Sequence, residues 1–102
     1  MMDEKIEAEI EAQLAEDIEI WKPAVNDQVI GEFVETRPEQ GRYQNNLHIL
    51  ARGGQKIGIW GCAVIDDKLK DAKQGDAFGI RYLGDAEGPN GRYKNYKVIA
   101  YQ

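Results

Sequence analysis

The chain has one cysteine, Cys62, and one histidine, His48. A lone thiol excludes an intrachain disulfide and leaves no spaced thiolate set for a metal, and it fits a reducing compartment. A lone histidine has no second imidazole to pair with, and no Ser-His-Asp order is present. No stretch approaches the ~20 apolar residues of a membrane span. The opening MMDEKIEAEI lacks both a basic and an apolar region, so it does not read as a signal peptide. Gly53-Gly54 lacks the context of a phosphate-binding loop. These absences lead us to expect a cytoplasmic binding protein, not an enzyme, with no cofactor, no metal and no membrane partner.

What is present fits one domain. The chain has 102 residues, 42% of them hydrophobic and 30% charged, within the globular range. The net charge of −5 argues at first against nucleic acid, because phosphate contacts need Lys and Arg. The charge is unevenly spread, however. Residues 1–22 hold eight acids and two bases, a net of −6, whereas residues 23–102 hold ten acids and eleven bases, a net of +1. A near-neutral body can still present a basic face.

Residues 1–22 are expected to form an acidic helical arm. Ile6, Ile10, Leu14 and Ile18 recur every four residues, which predicts a helix over 3–19 with one apolar stripe. Pro23 then disfavours helix before it. The arm has three uses open to it: packing on its own body, pairing with a second copy's arm in a homodimer, or competing with nucleic acid for a basic groove.

Beyond Val25 the sequence breaks into five β-rich runs, near 28–37, 42–52, 56–61, 77–84 and 92–101. Residues 63–73 read as a short helix with Val64, Ile65 and Leu69 on one side. Three strands, a helix and two strands is the order of a five-stranded OB-fold barrel, so residues 23–102 are expected to be an all-β OB domain. A split barrel of another kind and an open ββαβ sheet fit the same pattern. GRYQNN at 41–46 and GRYKNY at 91–96 echo each other at strand starts and read as similar turns, not as a duplication.

The candidate site follows from strand alternation. Leu47, Ile49 and Ala51 are expected to face the core, sending Gln44, Asn46, His48, Leu50 and Arg52 to the opposite face. In the next strand Ile57 and Ile59 should face in, leaving Lys56 and Trp60 outside. The outer face would then gather Trp60, Arg52, Lys56, His48 and Asn46, a stacking ring beside cations, as single-strand binding requires. The bland readings are a packed Trp60, solvated charges at Arg52 and Lys56, and surface packing at His48. A second constellation is Arg42 and Tyr43 with Arg92, Tyr93, Lys94 and Tyr96, on the two loops that flank an OB groove; the tyrosines could equally cap barrel ends. Asp66-Asp67 suits the start of the predicted helix, and Cys62 reads as a small core residue.

With those residues in place, the body from Trp21 to Tyr101 resembles the small OB-fold single-stranded DNA-binding proteins of phages and prophages. The likeness rests on Trp21-x-Pro23, the turn into Val29-Ile30-Gly31, Gly41-x-Tyr43, Ile59-x-Gly61 before a helix to Leu69, Gly75-Asp76, and Gly91-x-Tyr93-Lys94-x-Tyr96-x-Val98. It implies an OB barrel, cooperative or dimeric binding of single-stranded DNA, and a role in replication or recombination. Those proteins commonly carry their acidic segment at the C-terminus, whereas here the acids lead. The competing expectation is an OB-like interaction module, a subunit of a virion or other complex, that binds no nucleic acid.

Overall fold

The computed structural model describes residues 18–41 and 44–101, together with Glu4, Ile6, Glu7, Ile10 and Leu14. Six strands and one helix follow in order: β1 (Ile18–Ile20), β2 (Gln28–Gln40), β3 (Asn45–Arg52), β4 (Gln55–Trp60), α1 (Ala63–Leu69), β5 (Ala77–Gly88) and β6 (Gly91–Tyr101). From Ile18 to Tyr101 the described residues are mostly β, with one short helix. Strands β2 to β6 are the five runs legible in the sequence, longer or shorter by a few residues.

The strands form one sheet in the order β1-β4-β3-β2-β5-β6. Among the described residues no ladder joins β4 to β6, so the sheet is open and has six strands, not the closed five of the expected barrel. The sixth strand is β1, which pairs in parallel with β4, Ile18 opposite Lys56 and Ile20 opposite Gly58. The helix expected over 3–19 therefore does not reach Ile18. The four-residue spacing from Leu14 to Ile18 hid a two-residue spacing from Ile18 to Ile20, and the free edge of β4 selects the second. The rest of the expected arm lies mostly outside the described residues; Glu4, Ile6, Glu7, Ile10 and Leu14 have helical backbone and exposed side chains.

The sheet is packed on both faces at its centre. The larger cluster holds Val29, Phe33, Leu50, Ile59, Phe78 and Ile80, and α1 drops Ile65 and Leu69 into it. Ile18, Ile20, Leu47 and Ile49 form a second cluster across the sheet, flanked by Val34 and Trp60. Gly58 makes room for that second cluster: a Cβ there would come within 3.0 Å of Ile20 Cδ1 and 3.1 Å of Ile18 Cγ2. Burying each such Ile or Leu side chain stabilises the fold by roughly 1.5–3 kcal/mol.

The expected facing of β3 is corrected by this arrangement. Leu47 and Ile49 do point to a core, but to the smaller one, while Leu50 and His48 point to the side of the larger one. Cross-strand register fixes this: Ile49 lies opposite Gly58 and Leu50 opposite Ile57. The run Leu47-His48-Ile49-Leu50 is buried without interruption, so alternation in the sequence carried no sign of which face was which.

Candidate nucleic-acid interface

Trp21 closes β1, where its backbone N–H donates to Gly58 O at 2.8 Å. That bond carries the indole across to the β5–β6 hairpin. The Trp21 and Tyr96 rings lie 6.2 Å apart at 46°. Tyr96 is in turn 5.1 Å from Tyr82 at 39°. Both separations fall in the range where tilted aromatic pairs attract. These rings, with Trp60, wall a cleft of about 310 Å³ between the free edges of the sheet. Ile59 and Pro23 also line it, and Lys22 and Lys94 bring positive charge to its rim.

Tyr82 reaches this position through a bulge. Counting back from the Pro89-Asn90 turn, Gly88 pairs with Gly91 and Gly84 with Asn95, but the next pair is Tyr82 with Tyr96. Leu83 is the extra residue, and Gly84 beside it has φ of 93°, a conformation that a side chain disfavours. The bulge rotates Tyr82 onto the same face as Tyr96. The Tyr82 hydroxyl donates to Asp85 Oδ1 at 3.1 Å. Burial, then the Asp85 hydrogen bond and charge, raise the Tyr82 phenol above its ordinary value. Burial pushes the Tyr96 phenol further, to about 12, helped by the negative charge that Cys62, Tyr82 and Asp85 can carry. Both rings therefore stay neutral stacking surfaces across the physiological range.

A second cleft of about 370 Å³ shares Trp21 and Lys22 with the first and runs past Val29 and Ile57 to Arg52. Glu19 and Asp27 stand on its walls. The two clefts together trace a path from Arg52 through Lys22 and Trp21 to Lys94 and Tyr96.

The residues singled out in the sequence are thus divided. Trp60, Lys94 and Tyr96 meet at the first cleft, and Arg52 lies along the second. Lys56 sits half-buried in β4 opposite Ala51 and lines neither. Arg52 and Lys56 do not share a face: on β3 and β4 they sit at registers of opposite parity, so the expected outer-face patch is not assembled. Arg92 and Tyr93 are exposed on β6. Strand alternation puts Arg92 on the face of Lys94 and Tyr96, and Tyr93 on the other. Arg42 and Tyr43 lie outside the described residues.

His48 is corrected outright. It is not on the surface but 2% exposed. Its Nε2 lies 2.7 Å from Asp66 Oδ1 and its Nδ1 2.8 Å from Thr36 Oγ1. A carboxylate only accepts, so Nε2 carries a proton and donates to Asp66; in the neutral ring, Nδ1 accepts from the Thr36 hydroxyl. The network ties α1 to β3 and β2. Gly61 permits it, because a Cβ there would collide with Asp66 Oδ1 and come within 3.1 Å of His48 Nε2. Cys62, at the N-cap of α1, is half-buried against the larger core.

Trp21, Lys22 and Tyr82 went unrecognised as site residues. In the sequence Trp21 figures only in the Trp21-x-Pro23 likeness and Lys22 only as a base of the arm, and Tyr82 needs the bulge to be known. Among the described residues no His, Cys, Asp and Glu cluster could hold a metal, and no helix is long and apolar enough to cross a membrane. Compared with known proteins, the chain matches no family model, no curated protein and no solved structure.

Proposed function

We propose that the paired clefts bind single-stranded nucleic acid without sequence preference, bases stacking on Trp21, Trp60 and Tyr96 and phosphates meeting Lys22, Lys94 and Arg52. The observation that carries this reading is the gathering of four aromatic rings and two lysines around one cleft. Stacking accepts any base and is worth about 1–3 kcal/mol per ring. The strand order β4-β3-β2-β5-β6, with α1 between β4 and β5, is read here as the OB order with the barrel left unclosed. In that reading the cleft occupies the seam where closure would fall. The protein binds and does not catalyse, it acts in the cytoplasm on single-stranded DNA, and its processes are replication or recombination. His48 takes no part, since both its ring nitrogens are engaged inside the fold.

The test is titration of the full chain with oligo-dT, read by tryptophan fluorescence at two salt concentrations. Quenching that weakens steeply with salt is expected. Tyr96→Ala and Trp21→Ala should each raise Kd by roughly 5- to 150-fold, the equivalent of one stacked base. Tyr93→Ala, two strand positions from Asn95 on the opposite face, should leave Kd unchanged. Flat fluorescence with no gel shift at low salt would sink the proposal. Equal losses for Tyr93→Ala and Tyr96→Ala would keep the function and reject the cleft.

A further inference from the structure

The outer side of β2, β5 and β6 carries a second, unrelated surface. Register stacks three rows across these strands: Gln28–Arg81–Lys97, Ile30–Gly79–Ile99 and Glu32–Ala77–Tyr101. The middle row is hollow, since a Cβ on Gly79 would meet only Ile30, at 3.8 Å. The result is a trough of about 430 Å³. Ile30, Ile99 and Tyr101 are 49%, 54% and 78% exposed around it. Arg81 and Lys97 stand at one end and Glu32 at the other. The middle of the trough is apolar, and Ile30, Ile99 and Tyr101 lie open in the single chain.

The same chain carries a complementary object. Ile6, Ile10 and Leu14 have helical backbone, follow one another at four-residue spacing, and are 50%, 40% and 82% exposed. Four-residue spacing on a helix makes one apolar ridge. The residues between and around them include the acids Glu4, Glu7, Glu9, Glu11, Glu16 and Asp17 against one base, Lys5. A ridge flanked by acids matches a trough whose basic end is Arg81 and Lys97. A short amphipathic helix is marginal in water without a surface to pack on.

We infer that the trough on β2–β5–β6 is the docking site for the N-terminal segment of a second copy of this chain. The chain's own segment leaves Ile6, Ile10 and Leu14 exposed, so it does not cover its own trough. Exchange between two copies covers both ridges and both troughs, a self-complementary twofold arrangement. Each protomer would contribute one segment and one trough, doubling the area of a single contact. The first cleft lies on the other face of β5–β6 and stays open, and the second meets the trough only at Gln28.

The experiment is sedimentation of the full chain over the micromolar range, with Ile10→Glu and Ile99→Glu. Both positions are exposed in the single chain, so neither change should unfold it, and circular dichroism checks this. The wild type is expected to be a dimer, and each variant should raise the dimer Kd by roughly tenfold or more. Lys97→Glu should weaken the dimer less, and added salt should weaken the wild type. An equimolar mixture of the two variants should recover mixed dimers, through the one intact segment on the one intact trough. A wild type that is monomeric throughout overturns the inference. So does a dimer broken by Ile10→Glu but not by Ile99→Glu, which would mean segment pairing with segment. A dimer untouched by both would place the interface elsewhere and overturn it too.

Discussion

The two halves of the sheet are built to different standards. In the half made of β1, β4 and β3, both faces are covered, and Leu47, His48, Ile49 and Leu50 are each at most 2% exposed. In the hairpin half, β5 buries only alternate residues, and β6 has no fully buried residue at all. Yet the aromatic cleft and the apolar trough are both made largely by the hairpin. Both surfaces proposed to meet another molecule draw on the half that spends little of its surface on the core. The sealed half supplies the rigidity against which Trp21 and Trp60 are held.

The largest expected effects test that contrast directly. Leu50→Ala and Ile49→Ala each remove a fully buried branched side chain, from the larger and the smaller cluster, and should each cost about 2–5 kcal/mol. Ile99→Ala on the hairpin should stay within about 0.5 kcal/mol. Urea denaturation measures all three. If Ile49→Ala costs as little as Ile99→Ala, the second cluster does not stabilise the fold and the contrast between halves fails.

The junction between the halves gives a smaller effect. Gly61→Ala would force Asp66 away from His48, leaving a buried imidazole short of one partner. Loss of such a buried hydrogen bond costs about 1–3 kcal/mol. Asp66→Ala removes the same bond by another route. The double variant should therefore cost clearly less than the two single costs added, as residues of one network do. Strict additivity in denaturation would show that Gly61 acts on something other than the His48–Asp66 contact.

The same contrast governs what could be seen in the sequence. In β6, which has one wet face, Tyr96 and Val98 are half-buried while Lys97 and Ile99 between and after them are exposed. In β3, Leu47-His48-Ile49-Leu50-Ala51 is apolar at both parities around the histidine, and both faces are core: Leu47 and Ile49 enter the smaller cluster as expected, while Leu50 enters the larger one instead of facing out. Alternation alone puts His48 on the surface, whereas its environment depends on Asp66, eighteen residues away. Ile18 fitted a helical stripe and a strand equally well, and only the unpaired edge of β4 decides between them. Of the cleft, Trp60, Lys94 and Tyr96 were legible as aromatic and basic residues near strand ends. Trp21 and Lys22 were not, because only the coiling of the sheet brings β1 beside β6. Tyr82 was hidden by one residue: a register counted from the turn pairs Tyr96 with Leu83.

The smallest effect concerns that bulge-made pair and appears only at high pH. Tyr96 is held near 12 against an ordinary 10.0, mainly by burial. A raised folded value means that the folded chain holds the proton more tightly than the unfolded chain does. The resulting stability is complete below pH 10 and is lost as pH rises from about 10 through about 12. Absorbance titration of the tyrosines should show one phenol ionising late, and denaturation midpoints should fall over that window. Asp85→Asn removes the hydrogen-bonded charge beside Tyr82, so Tyr82 should ionise earlier. Tyr96, shifted first by burial and least by Asp85, should hardly move. Trp21→Ala uncovers the Tyr96 ring instead, and should bring its ionisation down towards the ordinary value. Were Asp85→Asn to lower Tyr96 more than Trp21→Ala does, charge and not enclosure would control the ring, and the cleft would be too wet for the stacking surface it is proposed to offer.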